Sequence, residues 1–254
     1  PKTAPPRSPP GHQAPFSPNS PGCPHCGSQW TEARYDYDSL AKTFSSVLTG
    51  RPFDLWRYRE LLPVENPNPD LSMGEGGTPL IRANNLGMML GCPAVYVKDE
   101  RQGPTASFKD RQASVTITTL KEAGISEFVI ASTGNVAIAY SAYAARASIK
   151  LWAFLTSLVP SSKMREVALY GTQVIKITGS YDQAKQVAAR FAKQKNIPID
   201  LGARSIACVE SMKTLAFEIA EQLGRYQNLA DGQPNANAVR FEAPDWYIQA
   251  VSGG

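Results

Sequence analysis

The chain has 254 residues, 43% of them hydrophobic, and a net charge of +4. That length and apolar content suffice for one large packed domain or two modest ones. So small a charge gives no nucleic-acid signal, no apolar run approaches a membrane span, and no signal-peptide core opens the sequence, so a cytoplasmic protein is expected.

Nine of the twenty prolines lie within residues 1–24. With Gly, Ser, His and Gln between them, residues 1–21 hold too little apolar surface to offset the entropy of ordering, and a disordered leader is expected there. Cys23-Pro24-His25-Cys26-Gly27 comes next. Two thiolates at this spacing can share a zinc ion, but a structural site takes four ligands, and Cys92 and Cys208 stand alone. Residues 22–38 read as half of a zinc ribbon with Cys23 and Cys26 as ligands, or else as a turn with two free thiols. No complete metal site is expected. The scattered cysteines make no disulfide framework, which suits a reducing compartment.

Further along, strands and helices alternate. Residues 127–131 read as a buried strand, 135–147 as a helix, 149–155 as a second strand and 173–178 as a third. Between the last two, a helix starts at Ser161 and stops at Gly171, a residue suited to a left-handed cap. Ser180-Tyr181-Asp182-Gln183 is a capping-box signature, followed by Ala184, Val187, Ala188 and Phe191 on one helical face. Met212, Leu215, Ala216, Ile219, Ala220 and Leu223 repeat that spacing, with Gly224 as the stop. Residues 225–242 read as a surface loop and 245–251 as a closing strand. Such alternation predicts an α/β architecture of parallel sheets covered on both faces.

The segment Pro104-Thr105-Ala106-Ser107-Phe108-Lys109-Asp110-Arg111 places one lysine at a helix start, after a Gly-Pro turn. A lysine that reacts with a carbonyl needs a fixed position and a largely deprotonated amine; burial and a nearby cation, such as Arg111, both favour that state. In isolation it would read as a solvated surface lysine. Asp110 and Arg111 read as an ion pair that fixes the loop. Ser132-Thr133-Gly134-Asn135, between a strand and a helix N-terminus, offers amide donors to an anion such as a carboxylate. Gly253 and Gly254 could begin a phosphate cradle, because small residues let backbone donors close on phosphate oxygens. Glu75, Thr78, Lys98 and Glu100 are further candidates, in a turn and at a strand end.

The lysine segment resembles the lysine motif of fold-type II pyridoxal-phosphate enzymes, and in this spelling the threonine synthase family. Gly74-Glu75-Gly76-Gly77-Thr78-Pro79-Leu80, Val97-Lys98-Asp99-Glu100, Ser132-Thr133-Gly134-Asn135, Lys213-Thr214 with Ala216-Phe217-Glu218-Ile219, and Pro244-Asp245-Trp246 through Ser252-Gly253-Gly254 resemble further family segments, in the family's order. The resemblance implies two open parallel-sheet domains with helices on both faces. Residues 39–125 and 197–254 would form an incomplete large cofactor domain, and 126–196 a small mobile one. It implies pyridoxal 5'-phosphate as cofactor and Lys109 as the residue that holds it and shuttles protons. Asn135, Gly253 and Gly254 would be further cofactor ligands; Ser132, Thr133, Gly134 and Thr78 would bind a small amino-acid substrate, in a possible homodimer. The implied reaction converts O-phospho-L-homoserine and water to L-threonine and phosphate. The same lysine step also begins β-elimination or β-replacement on other amino acids, and a truncated non-catalytic relative is the alternative from another class. Val136-Ala137-Ile138-Ala139 and the run from Ala203 to Met212 depart from the family pattern where the substrate side chain or its phosphate would lie.

Overall fold

A computed structural model describes residues 12–18, 22–132, 134–233 and 239–250. In chain order the elements are helix α1 (Tyr37–Leu48), strand β1 (Leu80–Arg82), helix α2 (Asn84–Leu90), strand β2 (Tyr96–Lys98), helix α3 (Lys109–Glu122), strand β3 (Glu127–Ser132), helix α4 (Asn135–Ala147), strand β4 (Lys150–Thr156), helix α5 (Ser161–Leu169), strand β5 (Gln173–Ile177), helix α6 (Tyr181–Lys195) and helix α7 (Ile206–Ala230). No helix among the described residues is long and apolar enough to cross a membrane.

β3, β4 and β5 form a parallel sheet in that order, and Ile199 bridges the free side of β3. Helices cover both faces, as two-faced burial of Val129, Ile130, Phe154 and Leu155 requires. On one face α3 and α4 pack Ala113, Ile117, Leu120, Ala137, Tyr140 and Ala144 against Phe128, Ile130, Leu151 and Ala153. On the other, Ala188 and Ala192 of α6 pack on Val129 and Phe154. The α6 capping box forms as expected: Ser180 accepts from the Gln183 amide, and the Gln183 side chain accepts from the Ser180 amide. β1 and β2 pair antiparallel and are the other sheet among the described residues.

α3 lies at the centre, with every residue from Asp110 to Leu120 buried. Its hydroxyls tolerate this because Thr118 and Thr119 donate back to the Ser114 and Thr116 carbonyls. Arg111 makes the main polar link. It donates to both carboxylate oxygens of Glu218 on α7, at 2.6 and 2.8 Å, and to Glu100 at 2.8 and 2.9 Å. Lys98 donates to Glu218 at 2.7 Å from the β2 side. Burial alone would raise the Glu218 carboxyl, but the hydrogen bonds and charge of Arg111, with Lys98 beside them, hold it below the ordinary carboxylate range. A second fork joins Arg57 to Glu221, at 2.9 Å to each oxygen.

Three expectations fail near α7. Gly224 does not stop the helix, which runs on to Ala230. A helical glycine costs only about 1 kcal/mol, and here it lets backbone approach: a Cβ on Gly224 would lie 2.1 Å from the Arg240 carbonyl oxygen. Residues 225–230, read as loop, are therefore helical, held by an Arg225–Glu221 pair at 2.6 Å and by the Tyr226 hydroxyl on the Leu80 carbonyl at 2.9 Å. The buried face of α7 is also not the purely apolar one. Thr214, Glu218 and Glu221 are buried with Leu215 and Ile219, whereas Ala216 is exposed, because the basic groups of α3, β2 and the Leu55–Leu61 turn need acceptors. Finally, the described part of the expected closing strand, 245–250, is irregular and exposes Trp246 and Ile248; among the described residues no strand pairs with it, and an isolated apolar segment has no ladder to join. Val251 lies outside the described residues.

Replacing Arg111 by Met keeps much of the stem but leaves the buried Glu218 and the half-buried Glu100 short of a cation. We expect a loss of about 3–5 kcal/mol in urea unfolding at neutral pH. Because the Glu218 pKa is depressed on folding, its stabilisation is complete above the unfolded-state carboxylate range and is lost as pH falls through the folded value. The penalty of the variant should therefore shrink on acidification. A neutral-pH loss below about 0.5 kcal/mol would refute the clamp.

Candidate active site

The loop entering α3 turns at Ala106, whose φ is +55°. Asp110 fixes that turn by accepting from the Thr105 amide at 2.9 Å and its hydroxyl at 2.6 Å. Gly103 leaves room for this, since a Cβ there would sit 2.6 Å from Asp110 Oδ2. Lys109 is the first residue of α3 and is half-buried. Its Nζ donates to Gln112 Oε1 at 3.3 Å and lies 4.7 Å from the Phe108 ring centroid. Burial lowers the amine pKa, against the opposing negative influence of Cys208 and Asp200. Arg111, expected to assist, is instead neutralised by Glu100 and Glu218, so burial carries the shift.

Behind Gln112 lies a polar cluster that sequence patterns did not reveal. Gln112 Nε2 donates to the Tyr140 hydroxyl at 3.1 Å. That hydroxyl also lies 3.2 Å from Thr116 Oγ1, 3.4 Å from Cys208 Sγ and 3.5 Å from Asp200 Oδ1. Burial pushes the Cys208 thiol up to about 12, with the Asp200 charge adding to it, so the thiol stays protonated. Asp200 is set by the sheet, its amide donating to the Val129 carbonyl at 2.8 Å. α3, α4 and the stretch from Asp200 to Cys208 contribute to this cluster, with residues that read locally as ordinary helix or loop.

The asparagine loop meets α4 as expected, with Asn135 as the first residue of the helix. Ser132 Oγ accepts from the Gly134 and Ala137 amides, both at 3.2 Å, and so caps α4. Asn135 Oδ1 accepts from Lys163 Nζ at 3.0 Å, and the same amine lies 3.4 Å from where a Gly134 Cβ would be. Lys163, on α5, was not foreseen. Thr133, Gly253 and Gly254 lie outside the described residues.

Thr78 is buried in the Arg111 network: its Oγ1 donates to Glu100 at 2.5 Å, and its carbonyl accepts from Lys98 at 2.6 Å. Lys98 and Glu100 belong to that network too. Glu75 is fully buried and accepts from Trp56, Met73, Ser114 and Tyr143. Cys23 is half-buried and Cys26 exposed, and among the described residues no group of three or more His, Cys, Asp or Glu could hold a metal.

The Lys109 pocket fits pyridoxal phosphate in two respects. Among the described residues, the amine's hydrogen bond goes to a neutral amide, and Ser107 Oγ, two residues earlier, is buried without a hydrogen-bond partner. Residues 71–254 match the family described as pyridoxal-phosphate dependent enzyme. Threonine synthase from Methanocaldococcus jannaschii is 39% identical over 194 residues, covering 76% of this chain and 48% of that protein. Among solved structures, apo diaminopropionate ammonia lyase from Escherichia coli aligns with a TM-score of 0.57 at 18% identity, over 64% of this chain and 54% of that one. Maize serine racemase aligns with a TM-score of 0.53 at 25% identity, over 57% and 44%. The fold is thus that of fold-type II enzymes, and the chain spans about half the length of the curated relatives it matches.

A titration of 13C-methylated lysines should show resonances with midpoints below the ordinary lysine range for Lys109 and for the buried Lys98, and one of them should vanish in Lys109→Arg. Assignment of Lys109 to a resonance in the ordinary range would contradict the burial argument.

Proposed function

Because the chain belongs to the pyridoxal-phosphate-dependent enzyme family, we propose that Lys109 holds this cofactor and that the protein is a lyase acting on an L-α-amino acid. The observation that carries this reading is the half-buried Lys109 amine at the start of α3, its pKa lowered by burial and its hydrogen bond made to a neutral amide. When bound, the cofactor supplies the electron sink for charge left at the substrate's Cα. Lys109 Nζ takes the α-proton and later returns a proton, a role that a lowered amine pKa favours near neutrality. Gln112 and the Phe108 ring orient that amine. Asn135 and the first amides of α4, with Lys163 beside them, receive the α-carboxylate, and Asn135 also orients the cofactor ring. Thr133 and Gly134 complete that loop, and Gly253 and Gly254 begin the phosphate cradle. Ser132 and Thr78 support the site through the cap and the Arg111 network. Residues 126–196 act as the small domain that closes on substrate.

The relatives favour conversion of O-phospho-L-homoserine and water to L-threonine and phosphate. A second reading, elimination or replacement at Cβ of another amino acid, is favoured by Cys208, which joins the cluster behind Gln112 from within the segment, Ala203 to Met212, that departs from the family pattern.

Incubation with pyridoxal phosphate should give a visible absorption band that borohydride traps as a stable adduct, absent in Lys109→Ala. Phosphate released from O-phospho-L-homoserine, against keto acid formed from L-serine or L-threonine, then separates the two readings. No band in the wild-type protein would refute the role of Lys109.

A further inference from the structure

We infer that Tyr140 is a positioning residue for Lys109: its hydroxyl fixes the Gln112 side-chain amide with the oxygen turned to the lysine amine, and so sets where that amine stands. This rests on the reading of Lys109 as the cofactor lysine and adds to it a residue on another helix that acts through Gln112.

A primary amide accepts at one end and donates at the other, although the two ends are nearly alike in shape. Gln112 is buried between two partners, with Oε1 3.3 Å from Lys109 Nζ and Nε2 3.1 Å from the Tyr140 hydroxyl. Reversing it would set amide N–H groups against the lysine ammonium, donor against donor. The Tyr140 end holds the amide the right way round because its hydroxyl is placed to accept. Burial pushes the phenol well above its ordinary range, so the hydroxyl keeps its one proton. Thr116 Oγ1 takes that proton at 3.2 Å, which leaves a lone pair for Gln112. Cys208 Sγ at 3.4 Å and Asp200 Oδ1 at 3.5 Å also face the hydroxyl. Whichever of the three shares the phenol proton, a lone pair stays with Gln112, so the orientation does not depend on the charge of Asp200.

Both sides of the contact are stiff. Lys109, Gln112 and Thr116 fall at i, i+3 and i+7 on one face of α3. The Tyr140 ring is fully buried and stacks on Phe128 of β3, with centroids 6.1 Å apart, inside the apolar core that α3 and α4 share. Without the hydroxyl, Gln112 Nε2 loses its acceptor in a dry interior and the amide turns to find another, so that Lys109 loses a fixed partner. An amine that must add to a carbonyl or take a proton loses rate steeply when it is misplaced.

The test follows the rate at which the visible band forms at saturating pyridoxal phosphate. That rate reads the amine directly, because the Nζ lone pair must reach the aldehyde carbon before the C=N bond forms and water leaves. Tyr140→Phe, which removes only the hydroxyl, should slow the band at least about fivefold. Gln112→Leu should slow it as much, and the double variant should be no slower than Gln112→Leu alone, because the two residues act as one unit. Tyr143→Phe is the control for structure alone. It deletes a second buried phenol bond of α4, to Glu75 at 2.9 Å, and should lower the melting temperature while leaving the rate within about twofold. A folded Tyr140→Phe with an unchanged or faster rate overturns the inference, and so does additive slowing in the double variant. Should Tyr140→Phe not fold, Gln112→Leu carries the test: a slowing of that size supports the inference and an unchanged rate overturns it. No band in the wild type overturns the Lys109 reading itself.

Discussion

The fork between Arg111 and Glu218 is the constraint on which the rest of the arrangement depends. It crosses from the central helix α3 to α7, and Glu100 and Lys98 extend it to the β1–β2 ribbon. Such a cluster is not a large source of net stability, since desolvation offsets most of its Coulombic gain. Its contribution is geometric. A planar guanidinium with two carboxylates admits few registers of α3 against α7, whereas apolar side chains would allow sliding. The register of α3 is what places Lys109.

Lys109 and Arg111 are two residues apart, so they project about 200° apart around the helix. One helix start thus sends two cations into opposite environments. Arg111 faces acids and remains charged. Lys109 faces Gln112, and through it a cluster whose hydrogen bonds are mostly neutral, so burial lowers its pKa. An amine available for chemistry and a guanidinium locked into structure follow from helical geometry and from which neighbours carry carboxylates.

How much of this was legible in the sequence follows a physical division. The α4 boundaries, the three parallel strands and the α6 capping box were readable because each depends on residues a few positions apart. Lys109 was readable because a motif surrounds it. Gln112, Tyr140, Asp200 and Cys208 were not, because they meet only once the sheet places Asp200 beside β3 and α7 packs against α3. The acidic face of α7 was misread for a related reason: a helix with Leu and Ile at the right spacing looks apolar until its basic partners, more than 100 residues away, are seen. Ser132 is the opposite case, since a hydroxyl three residues before a helix start can cap it or bind a ligand, and the local sequence does not choose.

The same bonds constrain how the proposed small domain could move. Tyr140 and Tyr143, neighbours on one face of α4, reach opposite buried acceptors: the cluster around Gln112 and Asp200, and the fully buried Glu75. Between them α4 and α3 share one apolar core that includes Ala113, Ile117, Ala137 and Ala144. Rotating α4 away from α3 would break two phenol hydrogen bonds in a dry interior and open that core, which is far more costly than moving solvated loops. The segment after β4 is tied to the same core, through Val159, Val167 of α5 and the buried Thr172–Ser141 hydroxyl bond at 2.8 Å, so α5 and β5 would move together with α4. Asn135 and Lys163, bonded at 3.0 Å, would then keep their places relative to each other.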